Sequence, residues 1–407
     1  MNGKTSSVAS MLALFMYNSC LAVFLTYGVF FTRITNQFHV TSFWTSLVFA
    51  MFAILYSASS LGMGFLTDAY GASRIILFGG LLMSFGLVLS SFAPSISILV
   101  MTYGVIAGAG TGSIWLPTSF SVFEKFEPSR IRRVTGMVSA GTAFGSLFFA
   151  PVEAYLISDF GWRATFSLLA VVVFMFTIAA SVVSRTSSVP ETKSNPLRES
   201  DIQQKSKRSI DLSSAFREVR RRNSGFWSLY IYYMMGNAFS RTMVLVFLVP
   251  MLEARGFSVF AGSIALALIG GGSMIGRLFT RIERISEEQI TSLSFLLQGF
   301  TSLVLFYSGN YLVLYPAAFV FGIGYGGYIP QFALIIRKRF GLALYGGIFG
   351  ILLTSFGIGA FFGPVIGAIT HSISASFAPI FYLASAWSIV IGVHQLLSFQ
   401  LSRTKRQ

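Results

Sequence analysis

Gly64-Phe-Leu-Thr-Asp68-Ala-Tyr-Gly71-Ala-Ser-Arg74 joins two apolar runs, from about 43 to 66 and from about 75 to 93. Its order reads as a helix end, a turn and a helix start. Gly64 lets a neighbouring helix come close, Asp68 caps or salt-bridges across the loop, Gly71 supplies the tight turn, and Arg74 opens the next helix. Both flanking runs are long enough to cross a bilayer, which takes ~20 residues of helix. The pair is therefore a membrane hairpin, and the rest of the chain repeats the pattern.

Composition agrees. Of 407 residues, 54% are hydrophobic and only 11% are charged, with 43 Phe, which excludes an ordinary soluble enzyme of this size. Apolar segments run from about 10 to 32, 43 to 66, 75 to 93, 97 to 123, 134 to 157 and 164 to 185, and resume from about 226 to 252, 260 to 281, 290 to 308, 312 to 336, 344 to 370 and 377 to 400. The expected fold is an all-α membrane protein of twelve transmembrane helices in two pseudo-symmetric six-helix halves. The halves are 1–185 and 225–407, joined by a basic linker, 186–224, that is poor in aromatics and rich in Ser, Lys, Arg and Glu. Arg217, Arg220, Arg221 and Arg222 in the linker either lie on anionic lipid or form a solvated loop that fixes topology.

The net charge of +15 sits in short loops and follows no groove-reading motif, so nucleic acid is not the expected partner; the lipid bilayer is. With the N-terminus inside, 24 of the 29 Lys and Arg residues face the cytoplasm, three (Arg33, Arg163, Arg255) face outward, and Arg241 and Arg277 lie within spans. Both termini are expected in the cytoplasm of a multi-pass protein of the cell membrane. Single Cys20 allows no intrachain disulfide. The histidines are scattered at span ends, and neither a metal cluster, a nucleophile elbow nor a phosphate loop is present, so no enzyme and no cofactor is expected.

The halves repeat internally. Phe148-Phe149-Ala150-Pro151-Val152 of the fifth run matches Phe361-Phe362-Gly363-Pro364-Val365 of the eleventh, and the fourth and tenth both place Gly-x-Gly shortly before proline. Together with the Gly64–Arg74 loop, the span number and the central linker, this resembles the major facilitator superfamily. Tyr27-Gly-Val-Phe-Phe31, Gly161-Trp-Arg163-Ala-Thr-Phe166, Ile275-Gly-Arg277-Leu278 and Gly359-Ala-Phe-Phe-Gly-Pro364 look like its monocarboxylate transporter and oxalate/formate antiporter branch. The resemblance covers all but the linker. It implies small organic carboxylates as substrates, taken by proton symport or anion exchange, and it makes Arg277 the anion-binding residue.

The chain also departs from that branch. Its first span has no basic residue before Arg33, Ser273 stands where an aspartate precedes the arginine, the eleventh span has no lysine, and the second copy of the signature loop has decayed to Arg281-Ile-Glu-Arg284.

Arg277 ends the run Ala265-Leu-Ala-Leu-Ile-Gly-Gly-Gly-Ser-Met-Ile-Gly-Arg277. Placing an arginine at the centre of an inserted helix costs roughly 2.5–3.5 kcal/mol. Either it snorkels to the interface, or it faces an interior cavity and holds an anion through its planar fork. Tyr233, Asn237 and Arg241 at i, i+4, i+8 form a polar stripe, with Arg241 either a second cation of the pocket or a structural partner. Tyr325 is a candidate neighbour. Glu153 is the acidic residue placed within a span; it either carries a proton, pairs with a basic residue, or reaches outer water past Asp159. A site of two arginines without a carboxylate would cross the membrane more easily loaded than empty, favouring exchange or anion uptake with a proton. The other readings are an exporter of amphipathic compounds with the same fold, and a transport-inactive sensor or scaffold.

Overall fold

The computed structural model describes residues 2–126, 128–185, 217, 219–220, 225–278, 285–340 and 345–404. The Arg281–Arg284 segment and nearly all of the linker lie outside the described residues, as does the side chain of Asp68. Every regular element among the described residues is helical.

The first span is built from Asn2–Ser19, Ala22–Leu25 and Gly28–Phe38. Ser42–Tyr70 is the second, Ala72–Ser91 the third, and Ile96–Leu99 through Trp115–Lys125 the fourth. Eleven stretches are long and apolar enough to cross a membrane, and one of them, Arg133–Arg185, is 53 residues long. At 1.5 Å per residue that stretch measures about 80 Å, more than twice a hydrocarbon core of ~30 Å. Gly161 breaks it with φ 80° and ψ 163°, a conformation glycine adopts without a Cβ penalty. The chain thus crosses twice within Pro128–Arg185, giving the fifth and sixth spans and twelve crossings among the described residues.

Phe226–Ala254 is the seventh span, Val259–Gly276 the eighth, Glu287–Tyr307 the ninth, Tyr311–Phe340 the tenth, Tyr345–Ser374 the eleventh and Ala378–Thr404 the twelfth. We call the end of the bundle bearing residues 185 and 225 the linker face, and the other the far face. The halves pack through the second span on the eleventh, the fifth on the eighth, and the first on the seventh. The last contact lies toward the far face, where Phe31 meets Phe247 with ring centroids 5.4 Å apart.

The closest helix approach inside a half is made by the eighth and tenth spans. A Cβ on Gly272 would sit 2.0 Å from Phe319 O, and one on Gly276 2.2 Å from Ile323 O. From the other side, a Cβ on Gly322 would meet Ile269 O at 2.2 Å and one on Gly326 would meet Ser273 O at 2.1 Å. Two glycines four apart on each helix remove the side chains that would hold the backbones apart. The eighth helix ends at Gly276, short of the sequence expectation, because Gly270–Gly272 and Gly276 weaken the helix and Gly276 is pinned against the middle of the tenth span. From Gly327 the tenth helix continues for about 20 Å toward the linker face. The end of the eighth helix therefore lies beside the middle of the tenth, with Gly276 buried and Ile275 and Leu278 exposed.

Gly272→Val should lower the melting temperature of the detergent-solubilised protein by several degrees, since overpacking of this kind costs about 1–3 kcal/mol. Gly271→Ala, whose Cβ would meet only side chains at 3.7 Å or more, should leave it unchanged. Equal effects would mean that the backbone approach does not set the stability.

Candidate functional site

The seventh span is buried on every side along Arg241–Leu252, as expected of a helix in the centre of a bundle. Arg241 is 3% exposed. Its guanidinium carbon lies 4.6 Å from the Tyr325 ring centroid and 5.2 Å from that of Phe356, both within cation–π range. Its Nε has no hydrogen-bond partner, and no described carboxylate pairs with it.

The polar stripe of this span is only partly what a regular helix would make. Tyr233–Ser240 is π-helical, with a wider turn, and Arg241 resumes the α-helix. Tyr233 packs edge-on against Phe332 at 4.6 Å and reaches Phe356 at 6.4 Å, so it and Arg241 share one aromatic wall. Asn237 instead joins a buried network: the Tyr328 hydroxyl is 3.0 Å from its amide and 3.1 Å from that of Gln298. Gln298 Nε2 in turn donates to Gly236 O at 3.1 Å and Ser388 Oγ at 3.0 Å. The phenolic O–H of Tyr328 thus points between two acceptors, Asn237 Oδ1 and Gln298 Oε1. Asn237 thus fixes the π-helical turn and Tyr328.

Arg277 caps the end of the eighth helix, where a cation meets the negative end of the helix dipole. That dipole is a structural reason for the residue, yet the head does not run out along the bundle. Nη1 donates to Ser139 O of the fifth span, in the other half, at 2.5 Å, and the Tyr325 side chain lies beside the guanidinium. The close approach of the eighth and tenth helices makes this possible. Tyr325 therefore stands beside both cations, with its ring under Arg241. One turn before Arg277, Ser273 is fully buried with its Oγ unpartnered.

Tyr325 also lines a small cavity between the halves, with room for about one water molecule, together with Thr26 of the first span, Ser146 of the fifth and aliphatic side chains including Leu25, Leu245 and Leu266. Tyr56 of the second span stands in electrostatic reach of Arg241, Tyr233 and Tyr325, and its ring meets Phe356 edge-on at 5.9 Å. Sequence reading misses Tyr56, one of 16 tyrosines and without a polar neighbour to mark it.

Glu153 is fully buried in the fifth span, beside Thr26 of the first, and neither carboxyl oxygen has a hydrogen-bond partner. No described basic residue pairs with it. Asp159 is exposed and faces Tyr155, so no acidic chain leads outward from Glu153 through it. Tyr17 and Asn18 are tied within the first half, Tyr17 to Ser113 Oγ at 2.6 Å and Asn18 to Leu14 O at 2.9 Å. In the loop between the second and third spans, Gly71 takes φ 84°, Arg74 is exposed in the first turn of the third helix, and a Cβ on Gly64 would meet the Leu116 side chain of the fourth span at 3.0 Å.

Comparison with known proteins places this geometry. Residues 7–343 match the Major Facilitator Superfamily. The chain is 26% identical to human monocarboxylate transporter 6 over 402 residues, which cover 93% of this chain and 77% of that one. It is 22% identical to rat monocarboxylate transporter 2, covering 91% and 78%. A solved structure described as giving insight into substrate recognition in proton dependent oligopeptide transporters superposes with a TM-score of 0.72 at 14% identity, covering 98% of this chain and all of the other. These relatives are carriers and not enzymes, as the absence of catalytic motifs from the sequence implied. The chain is a multi-pass membrane transporter and belongs to the Major Facilitator Superfamily.

Proposed function

We propose that this protein is a secondary carrier of small, monocarboxylate-like organic anions across the cell membrane, working by alternating access with proton symport or anion exchange. The observation that carries this reading is the convergence of Arg241 and Arg277 on Tyr325, beside a cavity between the halves. A buried guanidinium with no carboxylate beside it, as at Arg241, is costly, and a bound anion offsets that cost. The planar fork of Arg277 suits a carboxylate, which accepts two parallel charge-assisted hydrogen bonds. Tyr56, Tyr233 and Phe356 complete the wall. The similarity to monocarboxylate transporters 6 and 2 supports the same substrate class.

In this reading, 1–185 and 225–407 rock about the anion, both termini and the 186–224 linker are cytoplasmic, and the Gly64, Asp68, Gly71 and Arg74 loop controls how the second and third spans move. Glu153 is the proton carrier. An ionised carboxylate at a fully buried, unpartnered position is expensive, so the proton it binds is one the loaded carrier takes across.

Purified protein in liposomes should take up at least one member of a panel of formate, pyruvate, lactate, oxalate and succinate. Arg277→Gln should abolish that uptake, and Arg277→Lys, which keeps the charge but loses the fork, should reduce it at least about tenfold at subsaturating substrate. Full activity in Arg277→Gln would remove the substrate assignment.

Glu153→Gln should retain exchange against internal substrate and lose accumulation driven by an inward proton gradient. If gradient-driven accumulation survives in Glu153→Gln, the proton travels elsewhere.

A further inference from the structure

A serine or threonine inside a helix usually gives its hydroxyl proton to a carbonyl one turn back. Ser263 of the eighth span donates to Phe260 O at 2.7 Å, Thr26 of the first to Ala22 O at 2.8 Å, and Ser146 of the fifth to Thr142 O at 3.4 Å. Ser273, the other serine of the eighth span, does not follow them. It is fully buried, and its Oγ has no hydrogen-bond partner. A buried hydroxyl in that state is costly, and folded proteins rarely leave one so. In a carrier, such a group is a donor kept for something that comes and goes.

Helical register places that donor. Leu266, Ile269 and Gly270 of the eighth span line the cavity between the halves. Ser273 follows them by seven, four and three residues, and Arg277 by eleven, eight and seven, so all five share one face of the helix. Ile275 and Leu278 lie on the opposite side and are exposed. Arg277 keeps helical backbone, with φ −64° and ψ −21°, so it and Ser273 are neighbours one turn apart, with Cβ atoms about 5–6 Å from each other. The partner of this face is the fifth span, in the other half: a Cβ on Gly270 would sit 2.8 Å from Ala143 O, and Arg277 Nη1 donates to Ser139 O. Ser273 therefore stands between the cavity and the guanidinium, where the halves meet.

The chemistry divides along that stripe. One end carries the cation and the unpartnered hydroxyl. The other is aliphatic, with Leu25, Leu245, Leu266 and Ile269, and the Thr26 and Ser146 hydroxyls there have their protons committed to their own helices. A space for about one water molecule, walled in this way, suits a methyl group and not a second carboxylate. A carboxylate offers about four lone-pair sites on its two oxygens, more than one guanidinium edge fills. We propose that Ser273 is the second donor of the anion site: its hydroxyl bonds the carboxylate that Arg277 holds and turns the rest of the substrate into the aliphatic cavity. The proposal rests on the carrier reading above and deepens it, narrowing the substrate to a monocarboxylate with a short apolar tail. A donor without an internal partner serves this task, because nothing in the protein competes with the substrate for its proton.

The test uses the full chain in liposomes with the panel of formate, pyruvate, lactate, oxalate and succinate. The native protein should prefer pyruvate and lactate to oxalate and succinate. Ser273→Ala removes the hydroxyl and little else; it should raise the KM for the preferred anion about tenfold, with a smaller change in maximal rate. The melting temperature of the substrate-free variant should stay level or rise, since an unsatisfied buried group is gone. Ser273→Cys adds a readout that needs no transport: the preferred anion should slow modification of the new thiol by a small methanethiosulfonate reagent several-fold, with the native chain, whose Cys20 is buried, as background. An unchanged KM in Ser273→Ala, or no protection in Ser273→Cys, overturns the role of Ser273 and leaves the arginine site standing. A melting temperature several degrees lower in Ser273→Ala, with uptake falling in step, marks a packing residue and overturns it too. Preference for oxalate or succinate overturns the orientation of the substrate. A native protein that carries none of the panel, or undiminished transport by Arg277→Gln, removes the carrier reading itself and this proposal with it.

Discussion

The site depends on one steric constraint, the backbone contact between the eighth and tenth spans. Four glycines let the helices meet at a distance that any side chain would forbid, with would-be Cβ atoms 2.0 to 2.2 Å from opposing carbonyl oxygens. Two results follow together. The eighth helix ends beside the middle of the tenth, so the guanidinium of Arg277 starts next to Tyr325 and can reach Ser139 of the other half. Tyr325, one residue before Gly326, is held where its ring can lie under Arg241 and its side chain beside Arg277. Without the glycines the two cations would have no shared partner. In lipid, where burial of apolar surface gives helices little reason to associate, such close packing is the main attraction available.

Much of this was legible in the sequence, and the reason is physical. A bilayer demands ~20 apolar residues per crossing, so span number and approximate limits can be read directly. The positive φ at Gly71 follows from the loop pattern, and Gly161 stands at the head of the Gly161-Trp-Arg163 motif expected to open the sixth span. What sequence periodicity misses is departure from 3.6 residues per turn. Tyr233, Asn237 and Arg241 are spaced for one face of an α-helix, but the π-helical Tyr233–Ser240 turns Asn237 toward Tyr328 and Gln298 while Tyr233 and Arg241 keep the Phe356 wall. Nothing in the residue types announces that widening, since it is set by the partners that accept and donate at Gly236 O and Asn237. Tyr56 and Thr26 escaped for a related reason: a Tyr or Thr in a span is usually satisfied locally, and only the assembled halves show that Thr26 borders the cavity and Tyr56 stands near Arg241.

Irregular backbone recurs at comparable places. The first span is broken at Thr26, the fourth is π-helical over Val100–Ala107, and the seventh over Tyr233–Ser240. In the first and seventh spans, carbonyls at the irregular stretches take side-chain donors: Val23 O from Tyr103, Gly236 O from Gln298, and Ala22 O from the Thr26 hydroxyl beside the Thr26 N–H. In lipid such groups have no water to turn to, so they survive only where the protein supplies the partner.

The distribution of unmet polar groups separates architecture from function. The hydroxyls of Tyr17, Tyr27, Tyr103 and Tyr328 are all bonded, which is what a helix bundle requires for stability. The buried atoms left without partners include both oxygens of Glu153, Nε of Arg241 and the hydroxyl of Ser273. Each such group costs on the order of 1–3 kcal/mol, more for charged ones. An anion at Arg241 and a proton on Glu153 are the species that would satisfy these two groups. On the proposed carrier reading, a travelling anion and a travelling proton would each remove one of these unmet costs, so loading would relieve strain that the empty protein carries at Arg241 and Glu153.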